Sequence, residues 1–292
     1  MDFPALRFSN GVSDASTWEM ADAVVSPAFG TAVNRMCGFA EDATEPVRRD
    51  ELPGPTCVLI FSFGAPYRLE DDRPGAGSSL TPRFGFVAGL SEHVTVDVAH
   101  GSARCIQVDL NPIGLYRLLG IPMNELANRI IPLDDLIGSL AERMSDRLEG
   151  AGTWERRLAI VQSELASRFN HAPDADPRMD WAWRQLSQSH GAIKIGTLAD
   201  ELQISHKHFI ELFLHHIGLP PKRAARLLRF SRAVNLVSRK ACSNWADLAQ
   251  AAGYFDQAHF INDVRRYTGR TPSDLFVSVR GCADSEPLVE VR

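Results

Sequence analysis

The side chains best suited to chemistry lie between Asn244 and Phe276, in the run NWADLAQAAGYFDQAHFINDVRRYTGRTPSDLF. On a helical wheel, Phe260, Val264 and Tyr267 share one face, while Ala258, Asn262, Arg265 and Arg266 point the opposite way. Gln257 stands at the exposed N-terminal tip. A helix anchored by three apolar residues and showing amides and guanidinium groups outward suits a DNA major groove.

Other residues could support catalysis or metal binding, and each has a plainer reading. His93 and His100 stand seven apart, without a His-x-His pair or a suitably spaced Glu. A metal-dependent cupin enzyme needs a facial set of such ligands, so surface or turn histidines are expected. Ser62 precedes Gly64 without the G-x-S-x-G elbow. Cys57 and Cys105 fall on apolar stretches and read as buried thiols, not nucleophiles. The Gly75–Ser79 loop lacks the Lys and the helix of a phosphate cradle. Trp154, Trp181 and Trp183 sit near helix starts, where core packing is the simpler role than a ligand platform. His206, His208, His215 and His216 divide between two sides of one helix, so no tetrahedral zinc set forms. No catalytic residue, metal or cofactor is expected.

The reading helix needs a frame, and the surrounding residues write one. Asn244 can cap a first helix carrying Trp245, Leu248 and Ala249, and Gly253 follows its last turn. Asp256 can cap the second helix and Gly269 ends it. Thr271-Pro272 then starts another, with Asp274 at its third position. The pattern occurs twice. Phe209, Phe213, Gly218 and Pro221 precede Phe260, Val264, Gly269 and Pro272 by 51, whereas Leu198-Ala199 precedes Leu248-Ala249 by 50. The two turns therefore differ by one residue within an internal repeat. Between the copies, Pro220 to Val237 predicts a continuous helix of about 18 residues, hence roughly 27 Å. Two helix-turn-helix units on such a helix can meet successive major grooves about 34 Å apart.

With the run FDQAHF…YTGRTPSDLF, residues 178–280 resemble the DNA-binding domain of the AraC/XylS family of bacterial transcription regulators. The resemblance implies a module of seven helices with two helix-turn-helix units. It also implies base contacts from His206, Lys207 and Glu211 in the first unit and from Gln257, Ala258 and Asn262 in the second. His259, Arg265 and Arg266 are further expected DNA contacts. Glu211 stands where many relatives carry a basic or amide residue; it could accept from a cytosine amino group or repel DNA. Asn262 replaces a common arginine and would favour adenine. The first turn lacks a glycine, having Gln203 and Ile204.

Charge separates the halves. Residues 1–177 hold 15 Lys and Arg against 25 Asp and Glu, a balance of −10; residues 178–280 hold 15 against 8, a balance of +7. Phosphate binding by one half alone requires such a division. The first 55 residues carry little periodicity. Residues 57–63, 83–89, 94–100 and 103–110 read as strands, with a hairpin turn at His100-Gly101-Ser102. Residues 70–82 form a loop. Short helices are expected at 112–119 and 123–129, then one capped by Asp134 to about Glu149. A further helix, capped by Thr153, should reach about Phe169 and complete a helical hairpin.

The expected fold is α+β. Residues 1–170 are expected to make a small β-sheet sensing or dimerisation domain with a helical hairpin, cupin-like as the family resemblance implies, 171–177 a linker, 178–280 the all-α DNA-binding domain with two helix-turn-helix motifs and 281–292 a flexible tail. Five cysteines outside any CxxC pair suggest a reducing cytosol. The N-terminus lacks signal-peptide regions, and no stretch of 18 uninterrupted apolar residues calls for a membrane span. The expected function is a cytoplasmic bacterial transcription regulator, and the expected partners are promoter DNA, RNA polymerase, a second copy and an unidentified small effector. The alternative is an interaction protein with a degenerate helix-turn-helix domain.

Overall fold

In the computed structural model, which describes residues 4–71, 79–172, 174–239 and 244–276, an antiparallel sheet leads into a helical half. The strands are β1 (Leu6–Val12), β2 (Ser16–Ala23), β3 (Val33–Glu51), β4 (Cys57–Ser62), β5 (Arg68–Asp71), β6 (Ser79–Leu80), β7 (Gly85–Ala88), β8 (Thr95–Leu110) and β9 (Ile130–Pro132). They pair in the order β1-β2-β3-β8-β4-β7-β9, with β5 bridging β6 and β8. All six residues of β4 are buried because both faces of the sheet are covered. Successive side chains point to opposite faces. Val58 and Ile60 join Phe39 and Cys105 on one face. Leu59 and Phe61 join Met36, Ile106 and Val108 on the other. Residues of β3, β4, β5, β7, β8 and β9 line a cavity on the first face.

Several local expectations fail, among them the 70–82 loop, whose Glu70 and Ser79–Leu80 pair as strand. No hairpin forms at His100-Gly101-Ser102. β8 continues through it, paired with β3 from Val33↔Leu110 to Glu51↔Thr95. The register passes from Ala43↔Gly101 to Val47↔Ala99, so three residues of β3 stand opposite His100. With Gly101 at φ +74°, this irregularity bends the ladder without reversing it. The single helix expected from Asp134 to Glu149 is also split. Gly138, at φ +56°, divides it into α2 (Leu133–Ile137) and α3 (Ser139–Gly150), and Asp134 lies inside the first turn of α2 instead of capping it.

The other helices are α1 (Pro112–Leu119), α4 (Trp154–Asn170), α5 (Pro177–Gln188), α6 (Ile195–Glu201), α7 (His206–Ile217), α8 (Pro221–Ser238), α9 (Trp245–Ala251) and α10 (Gln257–Thr268). Residues 123–125, within the stretch expected as a short helix, form only a 3-10 turn. Residues 272–276 are again helical. α4 is capped by Thr153 and packs against α3 as the expected hairpin. Trp154 and Trp183 are buried, and the Trp154 indole N–H donates to Glu19 at 2.5 Å. Cys37, Cys57 and Cys105 are buried thiols. Cys242, Cys282, residues 72–78 of the loop and the 281–292 tail lie outside the described residues.

The halves share one apolar cluster, which runs from Leu59 and Leu115 through Leu165 to Phe213, Phe230 and Phe260. α7 packs on α1 and on the turn at Met123–Glu125. Gly218, in the left-handed region at φ +94°, lets α7 end there, since a Cβ would come 2.7 Å from the Met123 carbonyl oxygen.

Candidate nucleic-acid interface

Each helix-turn-helix unit is built by local capping. In the second, the Asn244 side chain accepts from the Asp247 N–H at 2.9 Å and Asp256 accepts from the His259 N–H at 2.7 Å. In the first, Ser205 caps α7 through the His208 N–H at 3.2 Å. The turn before α7 holds Gln203 at φ +54°, a left-handed position filled by Gly253 in the second unit. Side-chain caps of this kind satisfy N–H groups that the helix cannot.

The exposed faces of α7 and α10 follow. In α10, Phe260, Val264 and Tyr267 are buried, while Gln257, Ala258, Asn262, Arg265 and Arg266 are exposed. His259 is half-buried. Its ring meets Tyr254 edge-on at 5.2 Å, and its Nε2 lies 3.8 Å from Asp263 Oδ2. In α7, His206, Lys207 and Glu211 are exposed. Lys207 Nζ lies 3.9 Å from Glu211 Oε1, so part of the acidic charge is offset by the preceding turn. Being solvent-exposed, that pair contributes little to stability. His216 turns inward, its Nδ1 2.9 Å from the Leu212 carbonyl oxygen and its ring 4.6 Å from Tyr116. Burial holds its pKa below the usual imidazole value. Among the described residues, no three His, Cys, Asp or Glu side chains converge as a metal site.

α8, 18 residues long, carries both units. Its Phe230 meets Tyr267 of α10 with centroids 4.9 Å apart. Arg229 donates to the Gly191 carbonyl at 2.7 Å, at the turn between α5 and α6. Arg226 Nη2 donates to Asp263 Oδ1 at 2.7 Å, and the Asp263 side chain is wholly buried. This ion pair joins α8 to α10. Reading the sequence as an outward polar stripe misses Asp263, yet its place three after Phe260 and four before Tyr267 marks the buried face. Around it, burial pushes the Tyr254 and Tyr267 phenols well above their ordinary range, so both stay neutral.

The sheet holds a cavity with Phe39, Tyr67, Phe86, His93, Asp97 and Gln107 in its wall. Two wall segments continue into contacts with the helical half. Asp50, beside Glu51 of the wall, pairs with Arg270 at 2.5 Å. Glu92, between Ser91 and His93 of the wall, is buried and bonds Arg223 of α8 through two nitrogens. Asn128 accepts the Glu92 backbone N–H at 2.8 Å and holds that loop in place.

Residues 198–277 match the family described as a helix-turn-helix domain, and residues 26–132 match a domain of unknown function (DUF6597). Among solved structures, ToxT from Vibrio cholerae O395 is similar at 9% identity over 81% of this chain and 94% of its own, with a TM-score of 0.43. A probable AraC family transcriptional regulator from Rhodopseudomonas palustris CGA009 is 28% identical over 34% of this chain and 97% of its own, with a TM-score of 0.29. A predicted oxalate decarboxylase from Thermotoga maritima is 10% identical over 38% of this chain and 99% of its own, also at 0.29. No curated protein matches. Among the described residues, no helix is long and apolar enough to cross a membrane.

Proposed function

We propose that this chain, an AraC/XylS-type regulator by its helix-turn-helix domain at residues 198–277, binds promoter DNA sequence-specifically with α7 and α10 in successive major grooves. The observation that carries the reading is the pairing of two capped helices whose apolar faces are buried and whose polar N-terminal halves are exposed. His206, Lys207 and Glu211 read one half-site; Gln257, Ala258 and Asn262 read the other; Arg265 and Arg266, with His259 beside them, meet phosphate or flanking bases. Amides and basic groups at these positions offer the donors and acceptors that base edges require.

Control comes from the sheet. A cavity with apolar walls and a few polar groups suits a small effector. Its wall leads directly to Asp50–Arg270 and Glu92–Arg223, so a ligand that moves either segment acts on α8 and on the end of the second unit. Dimerisation is a second route. β1 lies at the sheet edge with Phe8 and Val12 exposed, and an edge strand can pair with another copy.

The test of DNA binding is a titration of duplex DNA with the full chain at increasing salt. Binding that weakens linearly on a log–log scale, with a further gain for a selected sequence, supports the reading. Absent or salt-independent binding favours the interaction-protein alternative.

A further inference from the structure

The two units align up to the turn and then part by one position. The Ile204 N–H donates to the Ala199 carbonyl at 3.2 Å and the Tyr254 N–H to the Ala249 carbonyl at 2.9 Å, an equivalence that places Gln203 on Gly253. The caps, Ser205 and Asp256, are one residue further apart. The additional residue of the second turn is therefore Phe255, which has no counterpart in the first unit.

Phe255 is 95% exposed, more than any other large hydrophobic side chain among the described residues. An apolar residue directly before a helix cap ordinarily staples onto the fourth helical residue, here Phe260. Tyr254 occupies that place, buried with its ring 5.4 Å from Phe260. Its counterpart Ile204 packs on the core in the same way. Packing thus accounts for Tyr254 and leaves Phe255 without a structural role. A single exposed apolar side chain needs no explanation at an arbitrary surface position. Phe255, however, adjoins the exposed tip formed by Gln257 and Ala258. Its stem is fixed on both sides, by the buried Tyr254 and by the Asp256 cap.

We propose that Phe255 is a specificity-determining DNA contact whose ring packs against a thymine 5-methyl group at the margin of the half-site read by α10. The methyl group is the apolar feature that the major groove offers, and a phenyl ring is among the groups that recognise it. The inference rests on the reading of α10 as a groove helix.

The test uses the full chain and the best duplex recovered from a random-sequence pool. Each thymine is replaced singly by deoxyuridine, which lacks only the methyl group. One replacement in the α10 half-site should weaken wild-type binding about fourfold, the worth of one buried methyl group. The same replacement should leave Phe255→Ala binding unchanged, while Phe255→Leu keeps part of the effect. Because the side chain is exposed, the variants should melt as the wild type does. Binding that is indifferent to every methyl group, or weakened equally in wild type and Phe255→Ala, overturns the role of Phe255 alone. Failure to bind any duplex overturns the groove reading as well.

Discussion

Arg226→Ala should destabilise the chain more than Asp263→Asn, although the two residues form one ion pair. Asp263 is wholly buried, whereas the Arg226 side chain keeps 34% of its exposure. Removing the arginine strands a carboxylate in the interior, which costs about 3–5 kcal/mol in a fully buried pair. Water reaches the open side of this pair, so the lower end, about 3 kcal/mol, is expected. The amide keeps the shape of Asp263 and frees Arg226 to face solvent. Its cost is one charge-assisted hydrogen bond, about 1.5–2 kcal/mol. The double variant should then be more stable than Arg226→Ala alone, because it contains no stranded charge. Urea denaturation followed by tryptophan fluorescence gives all four corners of the cycle. Trp245, stacked on Phe276 at 4.8 Å, reports on this region. Additive losses, or a larger loss for Asp263→Asn, would refute the reasoning and show that the pair does not hold α10 on α8.

Gln257→Ala and Asn262→Ala should each cost about 1–3 kcal/mol on the preferred sequence and relax selectivity in one half-site, which a selection experiment would display. Equal loss on all sequences would make them generic backbone contacts. Glu92→Gln combined with Asp50→Asn should change DNA affinity about fivefold or more, the scale of a coupling between sites; a binding isotherm matching the wild type would detach the cavity wall from the DNA-binding half. Burial lowers the pKa of His216 from its ordinary 6.5, so the unfolded chain takes up that proton more readily. Its contribution to stability is present above pH 6.5 and is lost as pH falls below it. His216→Phe should therefore lessen the drop in unfolding free energy between pH 7.5 and 5.5, and an unchanged drop would assign it to other groups.

The helical half was legible because its signals are local and repeated. Caps at Asn244 and Asp256, positive-φ glycines at Gly218 and Gly269 and the apolar spacing of α7 and α10 all lie within short windows. The connector was readable for the same reason, as a run with no breaker after Pro221. Asp263 escaped because a charged residue on a buried face is recognisable only with its partner, and Arg226 is 37 residues away. The N-terminal half depends on distant pairings. β3 is 19 residues long, contains Pro46 and loses its alternation where the register shifts between Ala43 and Val47. Gly101 has a turn residue's conformation inside a strand, and only the opposing β3 shows that the chain does not reverse there. The contacts Glu92–Arg223, 131 residues apart in the chain, and Asp50–Arg270, from opposite ends of the sequence, leave no periodic trace.

The account stands most directly on whether α7 and α10 engage DNA together. Hydroxyl-radical footprinting of the full chain on its selected duplex measures this. The expected result is two protected patches on one face of the duplex, their centres about 10 base pairs apart. A single patch, or two patches on opposite faces, would contradict the claim that one rigid connector presents both helices to successive major grooves.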